Sequence, residues 1–195
     1  MLRRQLSESL GLLLVKNMLT PPKISVVTPT YNRHNWLVSC IEQTKNQDVD
    51  HRYEHIVVSD GQDDKVIKMC SHYGLRCQCI DKEMSTGSSK GHLARDTGIS
   101  MADGKYIVLW DDDNIYYNNA LSIMIEEIND YDMIVCKINY RVRRPSFEYL
   151  YEQMPKVWNN TFVKSDIDTM NVMLKTRIAR KFKWTDSNDY SGDFH

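Results

Sequence analysis

Tyr106-Ile107-Val108-Leu109-Trp110-Asp111-Asp112-Asp113 decides how this chain folds and where its chemistry sits. Its first five positions are almost continuously apolar, the pattern of a strand buried on both faces of a sheet. Three carboxylates follow without a spacer. Like charges a few ångströms apart repel, so such a triplet is costly unless something positive binds there. One reading is a divalent cation site, since hard oxygen ligands suit Mg2+ or Mn2+. The plainer reading is a solvated acidic turn, or acids favoured by a helix N-terminus.

Working outward, strands and helices alternate. Ile24-Ser25-Val26-Val27-Thr28, between Pro22 and Pro29, reads as the first strand. Leu37, Cys40, Ile41 and Thr44 then share one helical face, with Asn32 expected as the N-cap. His55–Ser59 is a second strand, ending in the turn signal Asp60-Gly61. A helix over 63–73 leads to a strand over 76–80. The polar stretch 85–91 opens a helix with Ala94, Gly98, Met101 and Ala102 on one face. Gly104 is expected to end that helix. After the aspartates, Leu121, Met124, Ile125 and Ile128 mark a further helix, and 132–139 is again strand-like.

This alternation predicts an α/β fold, Rossmann-like, with a mostly parallel central sheet flanked by helices. Beyond about residue 140 it fades into what reads as an irregular attachment over one sheet edge. In open sheets of this kind, ligands bind beyond the carboxyl ends of the strands. Three polar clusters fall at such ends: Pro29-Thr30-Tyr31-Asn32, Asp60-Gly61 and the aspartate triplet. A cation bound with a diphosphate there would stabilise a leaving nucleotide as its charge develops. Tyr31 can stack on a base, Asp60 can accept from a base N–H, and Arg95 or Lys90 can approach from the following helix. Packing, a turn and a solvated helix charge are the plain readings of Tyr31, Asp60 and Arg95.

Other nucleotide signatures are missing. Gly-Ser-Ser-Lys-Gly at 87–91 lacks P-loop spacing, and no G-x-G-x-x-G follows the first strand. A formal net charge of -1 without a long basic run argues against a nucleic-acid partner. The 195 residues, 42% of them apolar and 26% charged, suit one globular domain.

At these positions the chain resembles a known family. Val26-Val27-Thr28-Pro29-Thr30-Tyr31-Asn32-Arg33 resembles the opening of family 2 glycosyltransferases, which have the GT-A fold. Val57-Val58-Ser59-Asp60-Gly61 is similar to their second strand end, with Ser59 where an acid is usual. Ala94-Arg95-Asp96 and Gly98-Ile99, then Ala102, Gly104 and Tyr106-Ile107, resemble the helix and strand before their DXD motif. Leu109 through Tyr116 resembles that motif itself. The four pieces occur in the family's order over residues 23–130.

The resemblance implies an inverting, metal-dependent transfer of a sugar from a nucleotide-diphosphate sugar, with UDP favoured, to a glycan or other hydroxyl acceptor. Mn2+ or Mg2+ is the implied cofactor. It implies that Pro29, Tyr31 and Asp60 hold the base, with Asp112 also on the nucleotide; Arg95 joins them as a nucleotide-binding candidate from its place on the following helix. The tripled acid leaves the motif in two registers: Asp112 and Asp113 on ribose and metal, or Asp111 and Asp113 as the metal pair. Asp113 takes part in both. Tyr190-Ser191-Gly192-Asp193-Phe194 resembles the family's later acidic loop, which makes Asp193 the implied general base. Trp184 can offer a sugar-stacking face or belong to the core.

The implied organisation is an N-terminal helical extension over 1–22 and a transferase domain over 23–195. The latter divides into a nucleotide-sugar half, 23–130, and an acceptor half, 131–195. The chain ends two residues after Asp193, so the acceptor half is expected to be truncated. The alternative is a nucleotide-sugar-binding domain, or a fragment of a larger transferase, without activity of its own.

Two features bear on location. Cys40, Cys70, Cys77, Cys79 and Cys136 lack zinc spacing and read as reduced cysteines of a cytoplasmic protein, with Cys77 and Cys79 expected on opposite faces of a strand. Leu6, Leu10, Leu13, Leu14 and Met18 share a helical face before Pro21 and Pro22. That helix is expected to dock on the domain; a weak, peripheral membrane-surface contact is the alternative.

Overall fold

The computed structural model describes residues 23–81, 91–136, 141–143, 149–151 and 169–186. The expected N-terminal helix, Lys90 and Asp193 lie outside them. Six strands form the main sheet: β1 (Ile24–Thr30), β2 (Tyr53–Ser59), β3 (Arg76–Cys79), β4 (Tyr106–Leu109), β5 (Met133–Val135) and β8 (Val172–Lys175), in the order β3-β2-β1-β4-β8-β5. β6 (Arg141–Arg143) and β7 (Tyr149–Tyr151) pair separately as an antiparallel ribbon. The helices are α1 (His34–Lys45), α2 (Asp64–Tyr73), α3 (His92–Met101), α4 (Ala120–Ile128) and the single turn α5 (Thr176–Ala179).

β1, β2, β3 and β4 run parallel, as the α/β alternation requires. β8 runs antiparallel to both neighbours and inserts between β4 and β5. The chain beyond residue 140 therefore supplies an internal strand, which corrects the expectation of an attachment over one edge. A four-residue strand is too short to show a period in sequence. It stands out only because Met173 is fully buried.

Helices cover both faces of the sheet. On one side Val26, Val108, Trp110 and Met173 pack with Cys40 of α1 and Leu121 of α4. On the same side Leu37 and Ile41 of α1 meet Val57, Val66 and Cys70. On the other, Val27, Ile56, Ile107 and Leu109 meet Ala94 and Ile99 of α3. Adjacent residues such as Val26 and Val27 face opposite layers, as the period-two pleat dictates. This three-layer arrangement buries both faces of β1 and β4, which explains why Tyr106–Leu109 is continuously apolar.

The small residues of α3 act through close approach. A Cβ at Gly98 would run into the Val27 side chain, so the helix lies directly on β1. Gly104 does not end α3, which stops at Met101. A Cβ on Gly104 would instead come within 2.7 Å of the Ser25 backbone nitrogen, and its N–H donates to Ser25 Oγ at 2.9 Å.

Two further expectations are corrected. Asn32 is not the N-cap of α1: it adopts φ 54, and the helix starts after Arg33 without a side-chain cap. Cys77 and Cys79 share one half-buried face of β3, because residues two apart on a strand point the same way. All five cysteines are free thiols. No helix of the described residues is long and apolar enough to cross a membrane.

Candidate active site

β1 lies between β2 and β4, and all three run parallel, so their carboxyl ends finish side by side. The ends are locked in register: Asp60 N–H donates to Thr30 O at 2.8 Å, and Trp110 N–H donates to Val27 O at 2.9 Å. This brings Tyr31, Asp60 and the aspartate triplet to one edge. Tyr31 is 53% exposed, Asp60 is half-buried, and Pro29 is buried in β1.

The three aspartates part ways. Asp112 points inward, with 3% of its surface exposed. Its Oδ2 accepts from Thr30 Oγ1 at 2.7 Å and its Oδ1 from Arg33 Nη1 at 3.1 Å. Burial pushes its carboxyl pKa up, against the lowering effect of Thr30 and Arg33. Asp113 is exposed and accepts from the same Arg33 Nη1 through Oδ2 at 2.6 Å. Asp111, half-buried, accepts from Arg95 Nη2 at 2.7 Å and from Thr169 Oγ1 at 3.3 Å. Burial works against the charge of Arg33, but Asp113 and Asp112 outweigh it and raise its pKa.

The loop that carries the triplet is braced on both sides. Trp110 is fully buried and stacks on Tyr116, with centroids 4.0 Å apart and planes 10° apart. Tyr116 OH donates back to Asp111 O at 2.9 Å. From α1, Gln43 Oε1 accepts from Tyr116 N–H at 2.7 Å. Gln47 donates to Tyr117 O at 2.8 Å and accepts from Leu121 N–H at 3.0 Å. Gln43 on α1 and Gln47 just past its end thus reach the same loop.

Arg95 lies beside Pro29. A Cβ built on Gly91 would be 3.3 Å from Arg95 Nη1 and 3.6 Å from Pro29 Cβ. The Arg95 guanidinium carbon is also 5.6 Å from the Trp184 ring centroid. Trp184 is thus half-buried against α3. His34 of α1 and Asp63, the N-cap of α2, pair at 2.7 Å and tie the β1 and β2 loops together. Burial raises the Asp63 carboxyl, but hydrogen bonds from His34 and two backbone N–H groups bring it below the ordinary range.

The structure therefore brings Pro29, Tyr31, Asp60, Arg95 and Asp111–Asp113 to one edge; Asp193 lies outside the described residues. Sequence reasoning gave no role to Thr30, Arg33 or Thr169. Arg33 had a signal, a cation two residues past an exposed tyrosine. Thr169 had none, since it arrives from a distant segment.

Comparisons with known proteins bear on the family and the fold. A sequence profile described as "Glycosyl transferase family 2" matches residues 25–192. An "Uncharacterized glycosyltransferase" of Rickettsia bellii is 31% identical over 131 residues, 66% of this chain and 18% of that one. "Glycosyltransferase GlyG" of Streptococcus pneumoniae is 32% identical over 120 residues, 60% of this chain and 38% of that one. The chain thus spans well under half the length of these relatives. Among solved structures, S. aureus TarS 1-349 with UDP-GlcNAc superposes with a TM-score of 0.58 at 20% identity, covering 82% of this chain and 47% of that one. The mannosyltransferase PcManGT from Pyrobaculum calidifontis, with GDP-Man and Mn2+, gives 0.60 at 18% identity, covering 90% and 50%. The fold is that of the GT-A glycosyltransferases.

Proposed function

Since the chain belongs to glycosyl transferase family 2, we propose that it moves a sugar from a nucleotide-diphosphate sugar, UDP-linked by preference, to an acceptor hydroxyl with inversion. The observation that carries this reading is the division of labour in the triplet. Asp112 is buried under Thr30 and Arg33, while Asp111 and Asp113 stay nearer solvent at the β4 end. Of the two registers, this favours Asp111 and Asp113 as the pair that would hold Mn2+ or Mg2+. Asp112, held by Thr30 and Arg33, would then fix the loop on the nucleotide side.

The donor set fits such an ion. Both groups are hard carboxylates, and Mg2+-type sites commonly use one or two of them with substrate phosphates and water. Among the described residues no group of three or more His, Cys, Asp or Glu could hold a metal, so the diphosphate would have to complete the shell. When bound, the cation would supply charge stabilisation to the departing diphosphate. The fold neighbours TarS, with UDP-GlcNAc, and PcManGT, with GDP-Man and Mn2+, support this class of donor.

The chain's own groups would do the rest. Tyr31 offers a face to the base, and Asp60 an acceptor for a base N–H. Arg95, beside Pro29 and Asp111, would meet a diphosphate oxygen with its guanidinium. Asp193 is proposed as the base: it takes the proton from the acceptor hydroxyl as that oxygen bonds to the anomeric carbon. The bond from that carbon to the phosphate oxygen breaks, and the nucleotide diphosphate leaves with the electron pair. Such a base must come within about 3 Å of the hydroxyl. The organisation proposed is a nucleotide-sugar half over 23–130 and an acceptor half over 131–195.

The test is donor turnover with UDP-sugars, Mn2+ and sugar acceptors. Asp193→Asn should keep UDP binding and lose transfer by about a hundredfold or more. Transfer at the wild-type rate would remove Asp193 from the mechanism. UDP binding without transfer by the unaltered chain would favour a donor-binding domain instead.

A further inference from the structure

Two neighbouring residues of α3 reach different parts of the molecule. Arg95 turns to Asp111, with Nη2 at 2.7 Å from Oδ1. Asp96 turns about 100° further round the helix and meets the 3-10 turn Trp184–Asp186. Its Oδ1 accepts from Trp184 N–H at 2.8 Å. Its Oδ2 accepts from Thr185 N–H at 3.0 Å and from Thr185 Oγ1 at 2.8 Å. One carboxylate thus takes three hydrogen bonds at the start of a helical turn, where backbone N–H groups lack partners within the turn. The three bonds span 88 or 89 residues of sequence, so they fix a distant segment to the donor-side helix.

That attachment sets the indole. The Trp184 ring lies 5.6 Å from the Arg95 guanidinium carbon and 6.2 Å from the His92 ring. Only 11% of the Arg95 side chain is exposed. A guanidinium over an aromatic face is held by the ring quadrupole and not by a directed hydrogen bond. It can therefore rotate its N–H groups from one anion to another without leaving the ring. The Asp111 carboxylate is the anion it meets here.

We propose that Trp184, pinned by Asp96, is a positioning residue that keeps Arg95 on an aromatic shelf while its N–H groups pass from Asp111 to the diphosphate of the donor. This rests on the reading of Arg95 as a donor-facing group. It moves Trp184 from a sugar-stacking face on the acceptor side to the donor side. It also gives the segment after β8 a role in nucleotide binding that its distance in sequence hides.

A double-mutant cycle on UDP affinity, measured by calorimetry with Mn2+, tests it. Arg95→Ala should weaken UDP binding by about tenfold or more, as for a lost charge-assisted hydrogen bond. Trp184→Leu should weaken it about three- to tenfold, and Trp184→Phe, which keeps a ring, by less. Asp96→Ala should behave like Trp184→Leu and so replaces it if that variant does not fold. In the Arg95→Ala background neither change should weaken binding further. Equal losses in both backgrounds, or full affinity in Trp184→Leu and Asp96→Ala beside a defective Arg95→Ala, would overturn the proposal. Unchanged affinity in Arg95→Ala would instead remove the donor-facing reading on which it rests.

Discussion

At the scale of single residues, the triplet Asp111–Asp113 shows how one sequence feature divides into structure and chemistry. Asp112 has an oxygen on Thr30 and an oxygen on Arg33, and it is buried. Its neighbours face Arg95 and Arg33 nearer the surface. The sequence marked three acids but not which pointed inward, because side-chain direction at a strand end depends on how the loop turns. Here the loop is turned by Trp110 stacking on Tyr116. A second residue carries information that the sequence hid. His55 reads as an ordinary strand residue, yet it is buried on β2 with Nε2 2.8 Å from Thr28 Oγ1. Burial lowers its pKa from 6.5 to about 3. In the unfolded chain the ring takes a proton below pH 6.5, while the folded ring stays neutral down to about pH 3. Its contribution to stability is complete above pH 6.5 and is lost as pH falls towards 3. The melting temperature should drop across that window, and His55→Gln, whose amide can replace Nε2, should flatten the drop. An equally steep profile in that variant would show that other groups set the acid limit.

At the scale of elements, periodicity located what was long and local. β1, β2, β4, α1 and α4 follow the apolar positions named from the sequence, because burial on one stripe or two faces imposes those periods. What failed was short or non-local. β8 has four residues and finds its place only by pairing with β4 and β5. Asn32 resembled an N-cap but sits at φ 54, where the chain turns between β1 and α1. The small residues of α3 were legible as a packing face, and Gly98 is where that matters most. Gly98→Ala would force a Cβ against Val27. Overpacking of this kind costs about 1–3 kcal/mol, so chemical denaturation should shift to lower midpoint with an unchanged slope. A variant as stable as the parent would mean that α3 can lift from the sheet without penalty. Because α3 also carries Arg95 and Asp96, such a lift would be expected to reach the donor edge as well.

At the scale of the whole molecule, the three carboxyl ends of β1, β2 and β4 explain why residues 30, 60 and 111 can act together. Their adjacency follows from the order β2-β1-β4, which no local pattern encodes. The family motifs made it legible, since they mark the three ends in the right succession. The proposed acceptor side was less legible, because its residues follow no regular alternation and Asp193 lies outside the described part. The central proposal is that Asp111 and Asp113 would hold a divalent cation, which would supply charge stabilisation to the donor diphosphate. Calorimetry of UDP binding with and without Mn2+ tests it most directly. The account predicts Mn2+-dependent binding by the unaltered chain, and loss of that dependence in Asp113→Ala with its melting temperature preserved. Mn2+-dependent UDP binding by Asp113→Ala at the affinity of the unaltered chain would contradict it.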